Sequence, residues 1–118
     1  LEIAEHQDME IEFRQDGFPA TLAQDITLCV FRIAQEALRN VIKHSGAREA
    51  RVTLRKTRQA IHLRVSDNGC GFDYNSPKTT KGLGFISMRE RLRLVGGEIS
   101  FRSQATRGTQ IDVLVPLG

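Results

Sequence analysis

Five stretches of this chain alternate apolar and polar residues with a period of two, and that alternation limits the possible folds more than any other feature. Met9-Glu10-Ile11-Glu12-Phe13-Arg14 is the first stretch, ended by Asp16-Gly17 and Pro19. Ala50, Val52 and Leu54 alternate with Arg51, Thr53 and Arg55, and Ile61, Leu63 and Val65 alternate with His62, Arg64 and Ser66. Ile99, Phe101 and Ser103 form one phase of a fourth stretch, and Ile111, Val113 and Val115 one phase of a fifth. Successive side chains of a strand point to opposite faces, so each of these strands has a dry side and a wet side. A sheet that is dry on one face needs a cover. Two helical stretches supply it. One starts at Thr21 as cap and runs to about Ser45, with Gly46 as the stop. The other runs from Gly84 to Val95 and is closed by Gly96-Gly97. A short turn around Thr57-Arg58-Gln59 makes the second and third strands a hairpin. The expected fold is α+β: a two-layer α/β sandwich with a mixed, mostly antiparallel five-stranded sheet and helices packed on one face.

The 118 residues suit one domain, spanning 1–118, rather than two. Leu1 to His6 reads as the last turns of a helix that began earlier, so residues 1–8 are expected to be its tail and the chain a domain excised from a longer protein. No apolar run approaches membrane-spanning length, and no signal-peptide pattern opens the chain. The net charge of +3 comes with scattered arginines and no aromatic interleaving, which argues against direct nucleic-acid binding. Cys29 and Cys70 lack metal-site spacing and read as cytoplasmic thiols.

The chemistry gathers where the third strand ends. Asp67 continues the phase of Ile61, Leu63 and Val65, so its carboxylate is expected on the helix-covered side. A half-buried carboxylate needs donors. Gly69 and Gly71 follow it and allow close approach to the backbone. Thr109 is in phase with Ile111, Val113 and Val115, so it also looks inward. The alternative is an aspartate that only caps its local turn. On the long helix, Ile26, Ile33, Ala37 and Val41 form the apolar stripe. Glu36 and Asn40 border it, with Lys43 beyond them. That edge reads either as an ordinary amphipathic boundary or as an acid, an amide and a cation lining the seam against the sheet. Glu36 and Asn40 offer hard oxygen ligands suited to Mg²⁺, and Lys43 offers a point charge for phosphate. Lys81-Gly82-Leu83-Gly84 opens the second helix, where free N–H groups attract anions. Residues 73 to 81 have no periodicity and read as a loop.

The ordered set resembles the ATP-binding catalytic domain of two-component sensor histidine kinases, within the GHKL ATPase superfamily, over nearly the whole chain. Arg32 to His44 resembles the N box and Asp67-Asn68-Gly69-Cys70-Gly71-Phe72 the first glycine box. Lys81-Gly82-Leu83-Gly84-Phe85 resembles the second, and Arg107-Gly108-Thr109 the terminal Gly-Thr element. The N box, Met88-Arg89-Glu90-Arg91 and Gly96-Gly97 are most similar to the subfamily paired with nitrate-response-type regulators. The resemblance implies that Asp67 accepts a hydrogen bond from the adenine amino group, supported by Thr109 through water. It implies Asn40 as the Mg²⁺ ligand, Lys43 at phosphate, and Gly69, Gly71, Lys81, Gly82, Leu83 and Gly84 around ATP. Residues 73–84 would form a short lid. Glu36 would orient or deprotonate the incoming nucleophile as the catalytic residue. The implied partners are a histidine-bearing dimerisation domain outside this chain and a response regulator with helix-turn-helix output. The implied parent is a homodimer whose kinase domain lies in the cytoplasm, with or without a membrane anchor. An anti-sigma-type serine kinase of the same superfamily and a non-catalytic nucleotide sensor are the competing readings. His6, His44 and His62 lack an acceptor setting, so the chain alone is expected not to label itself.

Overall fold

The computed structural model describes residues 2–6, 9–16, 24–42, 47–69, 84–104 and 108–117. The strands are β1 (Glu2–His6), β2 (Met9–Asp16), β3 (Glu49–Lys56), β4 (Ala60–Asp67), β5 (Glu98–Gln104) and β6 (Gly108–Pro116). The helices are α1 (Gln24–Asn40), between β2 and β3, and α2 (Phe85–Arg93), between β4 and β5. One six-stranded sheet has the order β1-β2-β3-β4-β6-β5. Among the described strands only the β2–β3 pair is parallel, and α1 lies in its crossover. The remaining pairs are antiparallel. This is the mixed, mostly antiparallel sandwich expected, with all five expected strands in place.

The sixth strand corrects the reading of residues 1–8 as a helix tail. Glu2–His6 lies antiparallel to β2, with Ile3 opposite Glu12 and His6 opposite Met9. Without β1 the outer edge of β2 would present unpaired backbone groups, and pairing satisfies them. That antiparallel pairing outweighs the helix propensity of Glu and Ala in a segment too short to hold a helix by itself. Helix α1 is described from Gln24, and Val41 and Ile42 follow it in a π-helical turn. The expected start at Thr21 and stop at Ser45-Gly46 lie outside the described residues.

Cross-strand register stacks the apolar residues into rows. Phe13, Val52, Val65, Ile111 and Phe101 form one row across five strands, and Leu54, Leu63, Val113 and Ile99 form another. Against them α1 buries Cys29, Val30, Ile33, Ala37 and Val41, and α2 buries Met88 and Leu92. The opposite face is wet. There the paired side chains are ionic: Arg51 meets Glu12 at 3.3 Å, and Arg64 meets Asp112 at 2.7 Å. His62 stands on this open face and is exposed, far in phase from the Asp67 side. The β3–β4 turn closes as expected, with the Thr57 hydroxyl oxygen accepting from the amides of Gln59 and Ala60.

Helix α2 ends where its two glycines predict. The Gly97 amide donates to the Leu92 carbonyl at 2.7 Å and the Gly96 amide to Arg93 at 3.2 Å. Gly96 adopts φ +72°, the left-handed conformation this closure requires.

Candidate functional site

The row that ends the dry face is polar. Ile11 and Ala50 begin it, and Asp67 and Thr109 continue it, directly opposite each other across β4 and β6. Thr109 is buried, as the period-two phase requires, and Asp67 is half-buried. The Gly69 amide donates to Asp67 Oδ1 at 2.7 Å. Asp67 Oδ2 is buried and has no hydrogen-bond partner among the described residues. Burial pushes the Asp67 carboxyl above its ordinary value, against the opposing pull of the Gly69 and Thr109 backbone amides. A buried acceptor left open in this way is costly unless a ligand donates to it. The turn-capping alternative therefore accounts for one oxygen of Asp67 and leaves the other unexplained.

Two further features hold this corner. The Asn68 side-chain oxygen accepts from the amides of Arg48 at 3.1 Å and Glu49 at 3.0 Å, which clamps the end of β4 to the start of β3. Gly108 takes φ +106°, and a Cβ built there would collide with the Asp67 carbonyl oxygen. Neither residue was among the site residues read from sequence. The signals were present, in an asparagine directly after a strand and a glycine directly before one.

Helix α1 brings the second group. Asn40 is buried, with 5% exposure, so it belongs to the interior rather than to the border of the stripe. Glu36, one turn earlier, is half-buried and lies 4.0 Å from the Arg39 guanidinium. Glu36 also meets the start of α2: a Cβ added at Gly84 would stand 3.3 Å from Glu36 Oε1. Gly84 caps α2 in the left-handed conformation, and its carbonyl accepts the Met88 amide at 3.0 Å. A cavity of about 660 Å³ opens between the helices here, and Glu36 is the one carboxylate among its described lining residues. Lys43, Gly71, Lys81, Gly82, Leu83 and, apart from Gly84, the whole of the expected lid over residues 73–84 lie outside the described residues.

Among the described residues, no three His, Cys, Asp or Glu side chains converge as a metal cage. Asn40 offers a buried side-chain amide oxygen, a hard ligand suited to a cation that brings waters and shares ligands with phosphate, which is the habit of Mg²⁺.

Asp67 makes a pH-dependent prediction for the empty protein. A carboxyl raised on folding is fully tolerated when protonated, below its ordinary range, and its penalty grows as pH rises through the raised value. Asp67→Asn removes the charge that burial opposes. Thermal denaturation without nucleotide should therefore show Asp67→Asn as stable as or more stable than the parent at pH 7, with the difference fading towards pH 4. A variant equally destabilised at both pH values would contradict this electrostatic account.

Residues 26–118 match the sequence profile of the histidine kinase-, DNA gyrase B-, and HSP90-like ATPases. The chain is 38% identical over 98 residues to the signal transduction histidine-protein kinase/phosphatase DegS of Bacillus subtilis, covering 81% of this chain. It is 28% identical over 113 residues to DegS of Brevibacillus brevis, covering 96% of this chain. It spans only 26% and 29% of those relatives' own lengths. Solved structures share the fold. The histidine kinase domain of the blue-light activated histidine kinase from Erythrobacter litoralis EL346 aligns with a TM-score of 0.70 at 20% identity, over 91% of this chain and 52% of that one. The Acinetobacter baumannii histidine kinase AdeS aligns with a TM-score of 0.73 at 15% identity, over 92% of this chain and 54% of that one. With sheet order, polar row and profile in agreement over most of its length, the chain belongs to the histidine kinase-, DNA gyrase B-, and HSP90-like ATPase family.

Proposed function

We propose that this domain binds Mg²⁺-ATP and transfers the γ-phosphate to a histidine on a dimerisation domain outside these 118 residues, as the catalytic part of a sensor histidine kinase. The observation that carries the reading is the buried, unpartnered Asp67 Oδ2 facing Thr109. An exocyclic amino group is the donor such an acceptor lacks, and adenine presents one. Asn40 would hold Mg²⁺, which neutralises phosphate charge when bound. Lys43 would meet phosphate, and the glycine segments around residues 69–71 and 81–84 would follow the nucleotide. Glu36 serves the acceptor. The lone pair of one imidazole nitrogen attacks phosphorus, the bond from phosphorus to the ADP oxygen breaks, and the proton on the other ring nitrogen leaves to a base. Glu36 orients the ring or takes that proton. Catalysis of this kind rests mainly on positioning and charge stabilisation.

The downstream partner in this reading is a response regulator with helix-turn-helix output, and the nearest functional class is the nitrate-sensor-like one. The two curated relatives, each a histidine-protein kinase/phosphatase by name, support a two-component role. The cytoplasm is the proposed location, and a homodimeric parent the proposed assembly.

The test is nucleotide binding by calorimetry. ADP with Mg²⁺ should bind with a Kd between roughly 1 μM and 1 mM. Asp67→Asn should weaken ADP by about 1.5–3 kcal/mol while leaving inorganic triphosphate nearly unchanged, because an amide nitrogen turned to the adenine amino group faces donor with donor. Equal losses for ADP and triphosphate would assign Asp67 to folding alone. Nucleotide binding should also favour the charged carboxylate and so release a proton, strengthening as pH rises through the raised Asp67 value.

A further inference from the structure

The chain leaves the sheet at Asn68, and the way it leaves decides how Asp67 is presented. Glu49 and Asn68 lie one position beyond the Ala50–Asp67 pair, at the end of the β3–β4 ladder. Two residues opposite each other at such a position ordinarily exchange both backbone bonds. Here one bond is of that kind: the Asn68 amide donates to the Glu49 carbonyl at 3.2 Å. The Glu49 amide donates instead to the Asn68 side-chain oxygen at 3.0 Å, and the Arg48 amide joins it at 3.1 Å. The side chain thus takes the place of the residue's own carbonyl. The ladder stays closed at this pair while the main chain is free to turn.

The turn acts on Asp67. It brings the Gly69 amide back to Asp67 Oδ1 at 2.7 Å, which occupies one carboxylate oxygen and leaves the buried Oδ2 open. Asn68 is also held from its other side, since a Cβ built on Gly108 would come within 3.0 Å of the Asn68 Cα. Arg48 in turn is tied to β2, because its carbonyl accepts the Glu10 amide at 2.9 Å. The corner therefore joins β2, β3, β4 and β6 around one exposed side chain. Truncating an exposed asparagine opens no cavity in the core, so the loss falls on the hydrogen bonds that aim the carboxylate.

We propose that Asn68 is a positioning residue for base selection: its side-chain oxygen closes the ladder in place of its carbonyl and so fixes the turn that points the open oxygen of Asp67 at the exocyclic amino group of adenine. The inference rests on the nucleotide reading above and goes beyond it by naming what sets the choice of base. Guanine carries a carbonyl oxygen where adenine carries that amino group, so a fixed carboxylate faces acceptor with acceptor. A carboxylate free to swing away discriminates less, while the phosphates are bound elsewhere. A neutral amide suits this corner, because Glu10, Glu12 and Glu49 already line the cavity that Asn68 borders.

The test is calorimetry on this chain in Mg²⁺ buffer with ADP, GDP and inorganic triphosphate. The parent should prefer ADP to GDP. Asn68→Ala should weaken ADP about tenfold and keep GDP and triphosphate within about twofold, so the preference for ADP shrinks about tenfold. Asn68→Asp keeps the accepting oxygen. Measured against the parent at about 0.5 M salt, where the added charge is screened, it should hold the preference within about threefold. An unchanged ADP-to-GDP ratio in Asn68→Ala overturns the inference. So does a loss of all three ligands together with a collapse of the melting transition, which assigns Asn68 to folding alone. An Asn68→Asp chain that discriminates no better than Asn68→Ala also overturns it, because the accepting oxygen is then not what matters. A parent that binds no ADP discards the nucleotide reading and this inference with it, whereas a parent and an Asn68→Ala variant that prefer ADP equally discard the inference alone.

Discussion

Gly108→Ala should destabilise the domain by at least about 3 kcal/mol, whereas Gly96→Ala should cost only about 1 kcal/mol. Both glycines have positive φ, at +106° and +72°, so both substitutions incur backbone strain. They differ in surroundings. A Cβ at Gly96 meets nothing within 4 Å, while one at Gly108 collides with the Asp67 carbonyl oxygen and comes within 3.0 Å of the Asn68 Cα. Neither obstacle is a flexible side-chain end, so the start of β6 must move away from the end of β4. Relative to a total stability of about 5–15 kcal/mol, that displacement is large. It should lower the melting temperature by roughly 10 °C or more. The consequence for the site is specific, because this approach sets Thr109 opposite Asp67. Whatever Gly108→Ala retains of the fold should bind ADP more weakly. Equal melting temperatures for the two variants would show that the close approach does not exist in solution.

The sheet was readable in the sequence because its physics is local. Period-two alternation places Val52, Leu63, Val113 and their neighbours on one face whatever the strand order. The same counting carried Asp67 and Thr109 inward and Gly96 to the end of α2. Three things were not readable. The pairing of Glu2–His6 with β2 depends on an open sheet edge, which no local pattern reports. The full burial of Asn40 depends on how closely α1 settles on the sheet, and helical phase alone put the residue only at the border of the stripe. The clamp made by Asn68 links residues about twenty positions apart, and its backbone partners carry no side-chain signature. Strand order likewise came from the structure, since a chain of alternating strands is compatible with several sequences of neighbours. The site follows the same division. Asp67 and Thr109 could be placed by phase, but that they face each other across β4 and β6 is a matter of register.

Glu36→Gln should slow phosphoryl transfer to a supplied acceptor segment by about 10²–10⁴, the range expected for a lost general base. Glutamine keeps the shape and one oxygen, so the half-buried seam beside Gly84 should tolerate it and the melting temperature should hold. The Arg39 contact, 4.0 Å long and between side chains that are 64% and 39% exposed, contributes little to stability, so its loss should not confuse the result. ATP affinity should change by less than about twofold, because Glu36 in this mechanism meets the acceptor and not the nucleotide. Single-turnover transfer with saturating ATP isolates the step, since it separates chemistry from binding. Three outcomes are then distinct. A slow transfer with intact ATP binding assigns Glu36 to the imidazole. A fall in ATP affinity as large as the fall in rate moves Glu36 to the nucleotide. An unchanged rate leaves it as the edge of an amphipathic helix, with positioning and charge neutralisation at phosphate sufficient for the chemistry.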